Sequence, residues 1–130
     1  MRLLAGLFTL AWLAVGLVLA QRPIPAVEAL APDNVIPCHT FARYLDALGV
    51  NLPQIVGNLG LLAVIGFPAP VVWRWLDRWW RVILAATAFS VAIELIQLPI
   101  PGRAADIDDV ILNVAGALLA YGAWRLLQRV

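Results

Sequence analysis

The chain has 130 residues, 63% of them hydrophobic, and its nine basic and eight acidic residues give a formal net charge of +1. Ordinary soluble domains are only about 45–50% apolar, so this composition argues against a soluble enzyme domain and favours an integral membrane protein. No basic run suggests a nucleic-acid surface, and the single cysteine, Cys38, excludes an intrachain disulfide. Because one membrane span takes about 20 apolar residues, residues 1–130 are predicted to form a single all-α membrane domain with four transmembrane helices.

The first predicted span covers residues 3–20, an apolar run that follows Arg2. The same run resembles a signal peptide with a cleavage-type sequence at residues 18–20, but we favour an uncleaved helix because the run is long for a signal peptide. A proline-rich connection follows over residues 21–52. Within it, residues 40–48 are predicted to form a short amphipathic helix that rests on the membrane surface.

The second predicted span covers residues 52–72, where Pro68 and Pro70 are expected to end or bend the helix. Residues 73–81 follow, and they contain four tryptophans and three arginines. This combination could indicate nucleic-acid stacking, but between two apolar runs it is typical of an interfacial aromatic belt with snorkelling arginines.

The third predicted span covers residues 82–98 and the fourth covers residues 107–127. Because only a short turn joins them, helices 3 and 4 are expected to form an antiparallel hairpin. Arginine is concentrated at one end of the predicted bundle: Arg2, Arg74, Arg78, Arg81, Arg125 and Arg129. By the positive-inside rule, the sequence predicts a multi-pass membrane protein with both termini in the cytoplasm, and the turn between helices 3 and 4 then faces outward.

Polar residues recur inside the last two spans and in the turn between them. Ser90, Glu94 and Gln97 are spaced i, i+4, i+7 and therefore share one helix face. Asp106, Asp109 and Asn113 are spaced i, i+3, i+7 and form a second polar face at the start of the fourth span. Gly116 lies on the same face and is expected to let the hairpin helices approach closely. The predicted ligand-binding residues are Asn58, Ser90, Glu94, Gln97, Arg103, Asp106, Asp109 and Asn113.

Ionisable side chains at membrane depth are expensive and normally mark a functional site or an internal polar contact. Arg103 is the only cation near this group, so an ion pair with Glu94 or with Asp109 is expected. Glu94 is the candidate acid/base, and Asp106 and Asp109 are the candidate ligands of a divalent cation; no soluble cofactor is expected. The alternative interpretation is that the same contacts only hold the helices together.

Asn58, the S-x3-E-x2-Q pattern that begins at Ser90, and the R-x2-D-x2-D-x3-N-x2-G pattern that begins at Arg103 together resemble the VanZ-like family of small bacterial membrane proteins. The resemblance covers roughly residues 52–127. It implies a four-helix protein of the bacterial inner membrane, a link to the cell envelope, and a link to resistance against the glycopeptide antibiotic teicoplanin. The family name supplies no molecular mechanism.

Two features depart from the family pattern. Leu62 and Val64 stand where the family usually has Phe and Pro, which bears on a helix bend, and Asp108 is an extra acidic position.

The preferred function is a cell-envelope accessory or binding protein, because nothing in the sequence demands catalytic turnover. Its expected partners are membrane lipids, a lipid-linked cell-wall precursor, a glycopeptide or another membrane protein. One alternative is an intramembrane enzyme acting on a lipid-linked phosphate headgroup, although no nucleophilic Ser/His pair, P-loop or zinc-ligand spacing supports it. The other alternative is a subunit of a small transporter.

Overall fold

A computed structural model describes residues 2–20, 35–38, 48–100 and 105–129. Its helices are α1 (Arg2–Ala20), α2 (Leu48–Leu61), α3 (Ala63–Gly66), α4 (Pro68–Val72), α5 (Trp79–Gln97) and α6 (Ile107–Leu127), with a 3₁₀ turn at Arg74–Leu76. The predicted all-α fold is confirmed. The predicted surface helix at residues 40–48 lies outside the described residues, except for Leu48, where α2 begins.

Among the residues that the structure describes, three segments are long and apolar enough to cross a membrane: Ile55–Val72, Trp79–Gln97 and Ile107–Leu127. The apolar helix α1 is shorter: the part of it that was compared with the length of a membrane span is Arg2–Val18. Large apolar side chains on the outer faces are exposed, including Leu84 on α5 and Leu119 on α6. Such a surface is expected where lipid takes the place of water, so the chain is a membrane protein.

The second span is divided into α2, α3 and α4 because the helix is interrupted at Leu62 and at Phe67. The second interruption directly precedes Pro68, the first residue of α4, where proline is well tolerated. Carbonyl groups at a helix end lack intrahelical donors and must find partners inside a membrane. Trp12 of α1 supplies one, because its Nε1 donates to the carbonyl oxygens of Gly60 at 3.3 Å and Leu61 at 3.2 Å.

The helices alternate in direction. Gly6 near the start of α1 lies beside Val72 at the end of α4, so α1 and the second span are antiparallel. α5 and α6 form the predicted antiparallel hairpin, since Ser90 contacts Asn113 and the Tyr121 hydroxyl donates to the Asp77 carbonyl. The polar residues at the end of α5 and the start of α6 are thereby brought to one end of the bundle.

Two glycines bring α6 into backbone contact with the second span. A Cβ atom on Gly116 would collide with the backbone oxygen of Leu59, and one on Gly66 would collide with that of Ala117. The expectation that Gly116 serves the α5–α6 hairpin is therefore wrong, because its close neighbour is α2. Spacing along a helix shows that a glycine lies on a polar face but does not show which helix packs there.

The buried core lies between the second span, α5 and α6, towards the end of the bundle opposite the α5–α6 turn. Its members are Leu62, Val64, Ile65, Ala69, Leu76, Val82, Ala86, Ile93, Ala117, Tyr121 and Trp124. This apolar packing holds α3, α4, α5 and α6 together, and the first turn of α6 lies beyond it. The polar side chains of that turn therefore meet on a scaffold that other residues stabilise.

Candidate functional site

The described residues of the predicted site gather where α2, the end of α5 and the start of α6 meet. We call this group the polar cluster and its position the polar end of the bundle. Its members are Asn58, Ser90, Glu94, Gln97, Asp106, Asp108, Asp109 and Asn113. Arg103, and with it the predicted ion pair to Glu94 or Asp109, lies outside the described residues.

Two carboxylates organise the first turn of α6. Asp106 is the N-cap residue, and its Oδ1 accepts a hydrogen bond from the backbone nitrogen of Asp108 at 2.9 Å. Glu94 of α5 reaches across the turn, where its Oε2 accepts from the backbone nitrogen of Asp106 at 3.2 Å. Both contacts place negative charge where the helix dipole favours it, so this part of the acidic cluster helps to begin α6.

A third carboxylate, Asp108, fixes a distant segment of the chain. Its side chain is 2% exposed, and its Oδ1 accepts a hydrogen bond from the backbone nitrogen of Cys38 at 2.6 Å. Cys38 has a φ of 65°, a left-handed conformation that is uncommon for residues other than glycine. Sequence reasoning recorded Asp108 only as an extra acid and missed this role. No local spacing could have indicated this contact, because Cys38 and Asp108 are 70 residues apart in the chain.

Asn58 and Asp109 join the second span to α6. The side-chain nitrogen of Asn58 donates to Asp109 Oδ1, and both residues are half-buried. Asp109 is one turn above Asn113 on the same helix face, so the two polar contacts of α6 lie one above the other. The sequence placed both residues in the site, and the structure adds that α2 supplies the partner of Asp109.

Ser90 and Asn113 form the deepest polar contact of the hairpin. The Asn113 side-chain nitrogen donates to Ser90 Oγ at 2.8 Å. Asn113 is 3% exposed and Ser90 is 0% exposed. The Asn113 oxygen Oδ1 is buried and accepts no hydrogen bond from any described residue. Gln97, predicted on the same α5 face, is also buried, one turn from Glu94.

The polar cluster is rich in hydrogen-bond acceptors. Each of its four carboxylates accepts a hydrogen bond from a neutral donor, namely a backbone nitrogen or the Asn58 amide. These bonds stabilise the charged oxygens. Such a site is suited to cations and to molecules with many O–H or N–H groups.

No metal site can be recognised among the described residues, where no three or more His, Cys, Asp or Glu side chains are grouped to hold an ion. The two carboxylates predicted as metal ligands contact different donors. Asp106 binds the backbone of the first turn of α6, and Asp109 binds Asn58 on α2.

The opposite end of the bundle has a different character. We call residues 73–81 the aromatic belt and their position the basic end. Asp77 forms an ion pair with Arg125 of α6 at 2.9 Å, between side chains that are 50% and 45% exposed. Arg81 donates to the Trp75 carbonyl at 3.1 Å and lies over the Trp80 ring, 4.9 Å from its centroid. The contacts of Arg81 are exposed and are made with other residues of the belt, as expected at a membrane interface.

Comparison with known proteins supports the family resemblance that the sequence motifs indicated. The family model described as VanZ/LLP1 matches residues 6–128, which include α1 as well as the polar cluster. No curated protein and no solved structure gives a significant match. Since the match covers nearly the whole chain, this protein belongs to the VanZ/LLP1 family.

Proposed function

We propose that this protein is an accessory or binding protein of the bacterial cell envelope, and that its polar cluster binds a ligand from outside the inner membrane. The observation that carries the proposal is the gathering of four carboxylates where three spans meet. Arginine is concentrated at the basic end, so the positive-inside rule supports an outward orientation for the polar end.

The choice of carboxylates supports binding over a purely structural role. Amide pairs would hold the helices together at a lower desolvation cost than Glu94 and Asp109. These two carboxylates are half-buried, whereas Ser90 and Asn113 below them are buried. The cluster therefore has a structural lower layer and an upper layer that a ligand can reach.

The chemistry of the upper layer suits a ligand with many donors. Lipid-linked cell-wall precursors and glycopeptides both carry numerous hydroxyl and amide N–H groups, which carboxylate oxygens accept strongly. Binding of either would connect the polar cluster to teicoplanin resistance. Arg103, next to the upper layer in sequence, is the proposed contact for a phosphate or carboxylate of the same ligand.

The test is a thermal-shift screen of the purified protein in detergent against bacterial lipid extract, a purified lipid-linked cell-wall precursor and teicoplanin. Asp109→Asn is the informative variant because an amide oxygen can still accept from Asn58. Asp77→Asn is the matched control because it removes the same charge at the basic end.

A ligand that stabilises the wild type and Asp77→Asn, but not Asp109→Asn, supports the proposal. Equal stabilisation of all three proteins, or no stabilisation by any ligand, overturns it. If the protein converts a stabilising lipid chemically, and if Glu94→Gln abolishes that conversion, the proposed function changes from a binding protein to an intramembrane enzyme.

The proposed divalent cation has a separate test. Asp106 and Asp109 are its candidate ligands because Mg²⁺ prefers carboxylate oxygens. The melting temperature of the wild type should then rise with added Mg²⁺, and Asp109→Asn should show no rise. An unchanged wild-type melting temperature removes the cation from the proposal and leaves the ligand site intact.

A further inference from the structure

The aromatic belt lies at the membrane surface for a structural reason. α4 ends at Val72 and α5 begins at Trp79, and the two helices belong to consecutive spans. The connection between them therefore turns at one face of the bilayer. Its tryptophans are among the exposed residues of the chain: Trp73, Trp75, Trp79 and Trp80. Indole rings prefer the headgroup level of a membrane, so the exposed rings place this turn among lipid headgroups.

The arginines of the basic end differ in their partners. Arg125 is paired with Asp77, and Arg81 is bound to the Trp75 carbonyl and stacked on Trp80. Arg74 and Arg78 are exposed, and neither guanidinium group makes a hydrogen bond or ion pair with any residue that the structure describes. Asp77 is the only acid of the belt. The belt therefore presents two uncompensated guanidinium groups between exposed indole rings.

We propose that Arg74 and Arg78 form a binding site for the phosphate of anionic phospholipids. A guanidinium group binds phosphate oxygens with two parallel hydrogen bonds. Anionic lipid attracts basic residues that lie within a Debye length of the bilayer surface. The ion pair of Asp77 with Arg125 leaves the belt with excess positive charge that matches this partner. The site is independent of the ligand proposed for the polar cluster.

The experiment uses the full chain in neutral detergent and follows quenching of tryptophan fluorescence by brominated phosphatidylglycerol, with brominated phosphatidylcholine as the neutral lipid. The wild type should bind the anionic lipid more tightly. Each arginine near an anionic surface contributes about fivefold in affinity, so Arg74→Gln/Arg78→Gln should weaken phosphatidylglycerol binding roughly thirtyfold. Its binding of phosphatidylcholine should not change.

The matched control is Arg2→Gln/Arg129→Gln, which removes the same charge from exposed positions at the same end but outside the belt. This control should keep most of the wild-type preference, because Arg2 and Arg129 lie outside the run of exposed tryptophans that holds the belt among the headgroups. Equal losses in the two double variants would reduce the effect to net charge and overturn the site, as would a wild type without preference for the anionic lipid.

A second measurement on the wild type alone does not depend on the folding of any variant. Raising the ionic strength from about 0.01 M to about 1 M shortens the Debye length from about 30 Å to about 3 Å. The preference for phosphatidylglycerol should then disappear. A preference that persists in high salt would overturn an electrostatic phosphate site.

Discussion

The two ends of the helix bundle hold charged groups in different ways. At the polar end, carboxylates from two helices accept hydrogen bonds across helix boundaries, and the contact below them, Ser90 with Asn113, is buried. At the basic end, the ion pair of Asp77 with Arg125 is about half exposed and the other arginine contacts are local. The first arrangement fixes the positions of three spans. The second leaves cations available to lipid.

Desolvation explains this difference. A charge inside a membrane bundle is costly unless hydrogen bonds surround it, so the polar end needs a donor for each carboxylate. A long arginine side chain at an interface keeps its guanidinium group in water or among headgroups and needs no protein partner. Substitutions at the polar end should therefore affect stability more than substitutions at the basic end.

The largest expected effect comes from Gly116→Ala, beneath the polar cluster. The added Cβ would collide with the backbone of Leu59, which cannot rotate away. We expect a loss of about 3 kcal/mol or more, at the upper end of overpacking effects, measured as the free energy of unfolding in mixed micelles. Gly122→Ala, in open space further along α6 towards the basic end, is the control and should cause no loss. Equal effects at both glycines would contradict the close helix approach.

The next effect is that of Asn113→Leu, which leaves Ser90 without its buried partner. An unsatisfied buried polar group costs about 1–3 kcal/mol. Part of the loss should be recovered when Ser90→Ala is added, so the two changes should be non-additive in a double-mutant cycle. Full additivity of the two unfolding free energies would show that this contact does not couple the hairpin helices.

A smaller loss, about 1–2 kcal/mol, is expected for Asp108→Ala because the Cys38 backbone nitrogen loses its acceptor in an exposed segment, where water can replace part of the bond. Asp108→Asn retains a side-chain oxygen that can accept this bond, so it should keep most of the stability. If both variants lost the same stability in thermal unfolding, the charge of Asp108 and not its hydrogen bond would be the important property.

The smallest effect is expected at the basic end, for Asp77→Asn. Exposed ion pairs contribute about 0.2–1 kcal/mol and are screened by salt. A double-mutant cycle with Arg125→Gln should give a coupling energy in that range at low ionic strength and none in high salt. A coupling larger than that of Ser90 with Asn113 would reverse the comparison between the two ends.

The sequence by itself determined that this is an all-α membrane protein and which residues share the polar face of α5. Long apolar runs require a membrane, a short turn between two of them requires an antiparallel hairpin, and the i, i+4, i+7 spacing places Ser90, Glu94 and Gln97 on one side of α5. The predicted fourth span, residues 107–127, has the same bounds as α6. These features depend on local periodicity and length, which a single sequence contains. The role of the polar residues in ligand binding stays a prediction.

Only the tertiary structure decided which groups meet across the helices. It assigned Gly116 to α2, the Trp12 nitrogen to carbonyls at the end of α2, and Asp108 to the backbone of Cys38. Helical periodicity gives the direction in which a side chain points along its own helix, but the partner depends on the rotation and depth at which another helix packs. Those two quantities are set by contacts between residues far apart in the chain, and the spacing of residues within one helix does not contain them.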